Sequence, residues 1–206
     1  VTLLATAALC FAGCGKEPTK VDMTEIAKEI NSLKTTDFEE SSSTTEYVRI
    51  TVKNHGDIVL RLREDIAPET VKNFRKLVSE KFYDGLTFHR VIPGFMIQGG
   101  DPNGNGTGST TPVKGEMTAN GFENNLTHIR GVLSMARRGG DYNSGSCQFF
   151  ICNADAPHLN GEYASFGYVV AGMETVDSIS AVATNAANNA PTESVVMEKV
   201  CFVKQK

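Results

Sequence analysis

The apolar residues of this chain are divided into short runs separated by turns, and this pattern constrains the fold more than any other feature. In Tyr47–Val52 apolar side chains occupy every second position, which is typical of a strand with one buried face. A turn at 54–57 connects this run to another at 58–62, so the two predict a β-hairpin. Further short apolar runs lie at 87–92, 95–98, 132–136, 148–152, 166–171 and 195–203.

Two segments of the same region predict helices. The first should begin at Ala67 and Pro68, because Pro is favoured at the first helical position. Its apolar residues form one stripe, as in a helix with one buried side. The second covers 173–181. Many short strands, 19 glycines and only two helices favour a closed antiparallel barrel. The pattern alone leaves a β-sandwich open as the alternative.

The first 14 residues differ from the rest in composition. Residues 1–13 carry no charge and are too few to cross a bilayer as a helix, which needs about 20 apolar residues. They are typical of the apolar part of a secretory signal. The sequence Phe-Ala-Gly-Cys at 11–14 resembles a bacterial lipoprotein signal box, in which Cys14 receives lipid. The alternative is an ordinary cleaved signal in which Cys14 has no role.

This reading divides the chain into three parts and predicts a location. Residues 1–14 are a truncated lipoprotein signal, 15–45 a polar linker in which 24–33 could form a short helix, and 46–206 the folded domain. We expect an exported protein that a lipid on Cys14 anchors to the outer face of the bacterial cell membrane.

Charge and cysteine content exclude several classes of function. The net charge of −4 argues against a nucleic-acid partner. The domain's three cysteines, Cys147, Cys152 and Cys201, form no C-x-x-C pair, and the four histidines show no zinc spacing, so we expect no metal site. We predict buried free thiols, with pairing of two of them as the alternative.

Three blocks in the second half of the chain carry a resemblance to a known family. Residues 88–101 read Phe-His-Arg-Val-Ile-Pro-Gly-Phe-Met-Ile-Gln-Gly-Gly-Asp, which resembles the signature of the cyclophilin family of peptidyl-prolyl isomerases. Two further blocks follow in the same order, at 131–152 and at 159–167. A long motif of mixed chemistry is much more specific than a short one. The resemblance covers about residues 46–206.

The resemblance implies a fold, a reaction and a set of partners. The fold would be mainly β, a closed eight-stranded antiparallel barrel capped by two α-helices, with the binding groove outside the barrel. The reaction would be cis–trans rotation about X-Pro bonds without cofactor or metal. The substrates would be proline-containing polypeptides, here exported proteins that are folding, and the enzyme would be a tethered monomer. The alternative is a binding module of the same fold with little or no catalysis.

The resemblance also implies the site residues. Arg90 would donate a hydrogen bond to the proline nitrogen of the twisted peptide, and Gln98 would bind the substrate carbonyl and steady Arg90. An apolar pocket would hold the proline ring, and neighbouring residues would line the groove. At positions 137, 158 and 163 this chain has Arg, His and Tyr, where many members of the family carry other residues. The predicted substrate-binding residues are Phe95, Met96, Ala136, Arg137, Phe150, His158, Leu159 and Tyr163.

Overall fold

A computed structural model describes residues 21–206, and in this range the chain forms one mainly β fold with three α-helices and nine strands. Cys14 and the signal predicted over 1–14 lie outside the described residues. The helices are α1 (Met23–Glu29), α2 (Pro68–Ser79) and α3 (Met173–Ser180). The strands are β1 (Phe38–Glu40), β2 (Tyr47–Val52), β3 (Gly56–Leu62), β4 (Phe88–Ile92), β5 (Met96–Gly99), β6 (Val132–Met135), β7 (Phe149–Cys152), β8 (Ser165–Ala171) and β9 (Met197–Gln205).

All nine strands belong to a single antiparallel sheet with the order β1-β9-β2-β3-β8-β6-β7-β5-β4. The ladder has two ends, β1 and β4, so a closed eight-stranded barrel is not confirmed. The approach of β4 to β9 is limited to an isolated bridge between Thr87 and Val196 and to bonds such as Phe88 N–H to the carbonyl of Val195, 3.0 Å.

The main core lies on one face of the sheet, beneath α2 and α3. Alternation along β2 and β3 directs Val48, Ile50 and Leu60 to this face, and the apolar side of α2 contributes Phe74. The rings of Phe74 and Phe149 meet edge to face with centroids 5.5 Å apart. This packing fixes the strands in place. Side chains on the other face of some of these strands form the pocket described below.

The prediction of a linker over 15–45 is wrong for the described part of that segment. Helix α1 begins after Asp22, whose carboxylate accepts the N–H of Thr24 at 2.9 Å, and it buries Ile26. Strand β1 pairs with the end of β9, and Phe38 is buried. The short helix expected over 24–33 is confirmed in part by α1, whereas β1 was not predicted, because a three-residue strand shows no measurable periodicity.

Helix α1 covers the face of the sheet opposite the main core, and Phe38 of the edge strand β1 projects from the same face. Ile26 and Phe38 pack there in a second cluster with Val59 and Tyr168. Backbone hydrogen bonds also attach this segment to strand β8, since the N–H of Leu33 donates to the carbonyl of Val170 at 3.0 Å. The segment from residue 21 onward is therefore part of the folded body.

Replacing Phe38 by Ala should lower the free energy of unfolding by about 3 kcal/mol or more, because the change empties a buried aromatic site. Urea unfolding followed by circular dichroism measures the effect, with Thr44→Ala as a control in the same segment. A flexible linker would instead leave both variants as stable as the wild type.

The described cysteines, Cys147, Cys152 and Cys201, are free, as predicted, and the first two are buried. Burial raises the pKa of the Cys152 thiol to about 12, so this group remains protonated and unreactive at neutral pH. Within 21–206, no helix has the length and apolar character needed to cross a membrane.

Candidate functional site

The structure brings the ten predicted catalytic and substrate-binding residues together around one pocket of about 350 Å³, which we call the Arg90 pocket. They come from four separate parts of the chain and meet on the side of the sheet formed by its last strands. The lining consists of Arg90, Phe95, Met96, Gln98, Ala136, Arg137, Phe150, His158, Leu159 and Tyr163.

Strand register places the polar wall of this pocket beside its apolar floor. Arg90 of β4 is directly opposite Gln98 of β5, which in turn is opposite Phe150 of β7. Directly opposed residues project from the same face of a sheet. The three side chains therefore form a row, and Nη1 of Arg90 donates to Oε1 of Gln98 at 3.2 Å.

Gln148 extends this row and holds Gln98 in place. Nε2 of Gln98 donates to Oε1 of Gln148 at 3.0 Å. The Gln148 amide donates in turn to the carbonyls of Gly106 and Gly108, at 3.1 and 2.8 Å. Gln98 thus presents its oxygen to the guanidinium. Sequence reasoning did not assign Gln148 a role, because its partners lie some 40 residues away and leave no local pattern.

Apolar side chains make the floor and walls of the Arg90 pocket. Met96, Phe150 and Leu159 expose only 1%, 5% and 7% of their surface. Tyr163 meets Phe150 edge to face with centroids 5.7 Å apart. These side chains form a separate cluster from the main core, and their open side is suited to a small apolar ring.

The rim of the pocket is partly aromatic. The ring of His158 lies against Phe95 with centroids 5.3 Å apart and an interplanar angle of 37°. His158 belongs to the short 3-10 helix Pro157–Leu159, which also directs Leu159 into the floor. The structure therefore places His158 on the rim of the groove, where its side chain is also exposed to solvent.

Arg90 has an uncompensated charge. Among the ion pairs of residues 21–206, none includes Arg90, so its guanidinium is held by Gln98 alone. A guanidinium is permanently protonated and offers several N–H donors in a rigid plane. It can therefore donate to a group above the apolar floor without any proton transfer.

A second pocket of about 410 Å³ adjoins the first. Both share Gln98, Ala136 and Arg137, so these residues form the ridge between the two pockets. The N–H of Ala136 is bonded to the carbonyl of Gln148 at 2.9 Å, which fixes this ridge against β7. Together the pockets form one groove that runs across this ridge.

His128 supports the floor from behind. Its ring stacks on Phe150 with centroids 6.0 Å apart and an angle of 17°. Nε2 lies 3.0 Å from Oγ of Ser134, and Nδ1 lies 3.1 Å from Oδ1 of Asn160. Burial lowers the pKa of His128 from its ordinary 6.5 to about 4, so the ring is neutral at physiological pH.

This pKa shift predicts a loss of stability in acid. Between pH 6.5 and 4 the unfolded chain binds a proton at His128 that the folded chain excludes. The contribution is complete above pH 6.5 and disappears as the pH falls to about 4, an effect of about 3 kcal/mol. Urea titrations at pH 7 and 4.5 should show this fall, and His128→Gln should show a smaller one. An identical fall in both proteins would contradict the assignment.

The described residues contain no group of three or more His, Cys, Asp and Glu side chains arranged to hold a metal ion. The arrangement that residues 21–206 do show is a charged donor beside an apolar floor, in one of two adjoining pockets. Such a site can donate hydrogen bonds next to an apolar group.

Comparison with known proteins agrees with this arrangement. The family model described as "Cyclophilin type peptidyl-prolyl cis-trans isomerase/CLD" matches residues 47–201. Peptidyl-prolyl cis-trans isomerase B of Bacillus subtilis is 49% identical over 130 residues, which cover 63% of this chain and 87% of the relative. The protein of the same name from Escherichia coli is 44% identical over 160 residues, covering 71% of this chain and 94% of the relative.

A solved structure shows the same likeness. A cyclophilin-type isomerase of Cryptosporidium parvum, determined in the presence of the dipeptide Ala-Pro, superposes with a TM-score of 0.70 at 32% identity. The superposition covers 76% of this chain and 98% of that one.

These matches place the fold described here among the enzymes that isomerise peptide bonds preceding proline. The chain belongs to the cyclophilin-type peptidyl-prolyl cis-trans isomerases. Its substrates are therefore proline-containing polypeptides.

Proposed function

We propose that the Arg90 pocket is the isomerase active site, with the proline ring on the floor of Met96, Phe150 and Leu159. The observation that carries this proposal is the row from Arg90 through Gln98 to Phe150. It places a charged donor on the same face of the sheet as the apolar ring site, with Phe150 two strands away, about 9–10 Å along the row. The bond that rotates would then lie between the floor and the guanidinium.

Rotation about an X-Pro bond must overcome the resonance of the amide, a barrier of about 18–20 kcal/mol. In the planar substrate the proline nitrogen shares its lone pair with the carbonyl and accepts hydrogen bonds poorly. At the twisted transition state the lone pair returns to the nitrogen. A donor directed at this nitrogen therefore binds the twisted state more tightly than either planar state, which is the requirement for catalysis.

Arg90 is the donor in this proposal. Its bond to Gln98 engages only one edge of the guanidinium, which leaves other N–H groups for the substrate. Because Gln98 is itself anchored through Gln148, the donor is oriented before the substrate binds, and little reorganisation is required at the moment of rotation. The amide of Gln98 is in addition placed to bind the substrate carbonyl.

The remaining lining residues would bind the rest of the peptide. Ala136 and Arg137 on the ridge would meet the residues before proline through their backbone groups, while His158 and Tyr163 would close the sides of the ring site. Exchange spectroscopy on an Ala-Pro peptide tests the activity directly. The wild type should exchange the cis and trans proline signals at substoichiometric concentration. Binding without exchange would favour the binding-module alternative.

We further propose that the enzyme is exported, carries lipid on Cys14, acts as a monomer and assists exported proteins whose X-Pro bonds isomerise slowly. The apolar residues 1–13 and the lipoprotein-like box at 11–14 support this location. Expression in a bacterium with the full signal, followed by fractionation and mass analysis, tests it. The wild type should appear in the membrane fraction with acyl mass on Cys14. A Cys14→Ser variant should lose both properties, and unmodified Cys14 in the wild type would contradict the proposal.

A further inference from the structure

Arg137 lies between two tyrosine rings. Its guanidinium carbon is 4.7 Å from the ring centroid of Tyr142 and 4.6 Å from that of Tyr163. Only 8% of its side chain is exposed. A guanidinium enclosed between two aromatic faces is held by cation–π attraction on both sides. We call these three side chains the Tyr-Arg-Tyr stack.

Hydrogen bonds engage the edge of the same guanidinium. Nε donates to the carbonyl of Glu162 at 2.9 Å, Nη2 to the carboxylate of Glu162 at 3.3 Å, and Nη1 to the carbonyl of Arg138 at 3.1 Å. The hydroxyl of Tyr142 donates to the same Glu162 carboxylate at 3.3 Å. Two cation–π contacts and three hydrogen bonds of Arg137 are thus made within the protein. The Arg137 guanidinium is therefore a poor candidate for direct contact with substrate, unlike that of Arg90.

The stack ends at the wall of the Arg90 pocket. Tyr163 lines this pocket and stands edge to face on Phe150 at 5.7 Å, at an angle of 84°. Tyr142 does not contribute to the pocket lining. Its ring nevertheless connects, through Arg137 and Tyr163, to the floor on which the proline ring would rest.

We propose that Tyr142 and Arg137 are positioning residues that fix the width of the Arg90 pocket by holding Tyr163 against Phe150. This inference rests on the proposed assignment of that pocket as the active site. Without the stack, Tyr163 can move away from Phe150, and the site for the ring becomes wider. A wider site weakens the binding of the planar and of the twisted peptide by the same factor. KM therefore rises while kcat changes little.

Tyr142→Leu provides the main test, because this variant removes one ring of the stack at a position outside the pocket. We expect KM for an Ala-Pro peptide to rise roughly tenfold, equivalent to about 1.4 kcal/mol, with kcat within a factor of about two. Tyr142→Phe keeps the ring and should stay close to the wild type. Arg137→Lys keeps the charge but not the planar stack, so it should raise KM like Tyr142→Leu.

Arg75→Gln is the matched control, since it removes an arginine on α2 that pairs with Glu64 outside both pockets. All constants are measured at a temperature where circular dichroism shows each variant folded. If Tyr142→Leu fails to fold, the proposal is tested by comparing the KM of Arg137→Lys with that of Arg75→Gln, and only the former should be raised. An unchanged KM in both Tyr142→Leu and Arg137→Lys would overturn the proposal, as would equal loss of kcat and kcat/KM in these two variants. If the wild type lacks activity or Arg90→Ala retains it, the assignment of the pocket fails instead.

Discussion

Arg90→Ala should lower kcat/KM for X-Pro isomerisation by roughly 10²- to 10³-fold, the loss typical when one oriented transition-state donor is removed. The loss should appear mainly in kcat. The guanidinium strengthens its interaction only when the proline nitrogen regains its lone pair, so ground-state binding depends little on it. Line-shape analysis of the cis and trans proline signals gives both constants for a single peptide.

Folding must be separated from chemistry in this comparison. Arg90 contributes one hydrogen bond to Gln98 and no ion pair within residues 21–206, so its removal should leave the melting temperature nearly unchanged. Arg90→Lys should recover only part of the activity, because a compact ammonium cannot donate simultaneously to Gln98 and to the substrate in one plane. Equal rates for the wild type and Arg90→Ala would refute the role assigned to Arg90.

The Arg90 pocket could be anticipated from the sequence because most of its residues lie in long motif blocks. Residues 88–101 contain both the donor Arg90 and Gln98, and they fold as the β4–β5 hairpin. Gly100 shows why the block tolerates little variation. Its φ is +82°, and a Cβ there would lie 2.6 Å from the carbonyl of Cys147.

Other features could not be anticipated, because they depend on partners that are distant in the chain. Gln148 is adjacent to Phe149 in a motif block, but its role depends on the loop at 106–108. Tyr142 gains significance only through Arg137 and Tyr163. The enclosure of Arg137 depends in the same way on tyrosines that a sequence pattern does not connect with it.

The strand count and the linker failed for a related reason. Polar composition favoured a linker over 15–45, in which the sequence indicated only a short helix at 24–33, so neither the attachment of α1 to the sheet nor strand β1 was predicted. Their stability comes from burial of Ile26 and Phe38 against the sheet, which is a tertiary effect. Closure of the barrel likewise depends on how β4 meets β9, and neither strand's own sequence determines this contact.

Phe149 and Phe150 should respond in opposite ways to replacement by Ala, although they are neighbours in β7. Successive strand residues point to opposite faces. Phe149 is completely buried in the main core, edge to face with Tyr83 at 5.5 Å and with Phe88 at 6.1 Å. Phe150 instead lies in the floor of the Arg90 pocket. One position therefore reports on stability and the other on substrate binding.

Phe149→Ala should lower the free energy of unfolding by about 3–5 kcal/mol, a large share of the stability of an ordinary domain. The fraction that remains folded should keep normal kcat/KM. Phe150→Ala should lower kcat/KM by roughly tenfold to a hundredfold, since it removes apolar contact worth about 1.5–3 kcal/mol to the proline ring. Urea unfolding and the peptide assay are carried out on the same preparations.

The comparison is informative because the two substitutions have identical chemistry and adjacent positions. Phe150→Leu is a matched control that restores most of the apolar volume, so it should recover much of the lost affinity. Phe149→Leu should recover stability without altering activity. If Phe150→Ala were as destabilising as Phe149→Ala and left the folded fraction fully active, Phe150 would be a core residue. The proline ring would then have to bind elsewhere, and the geometry assigned to Arg90 would fail with it.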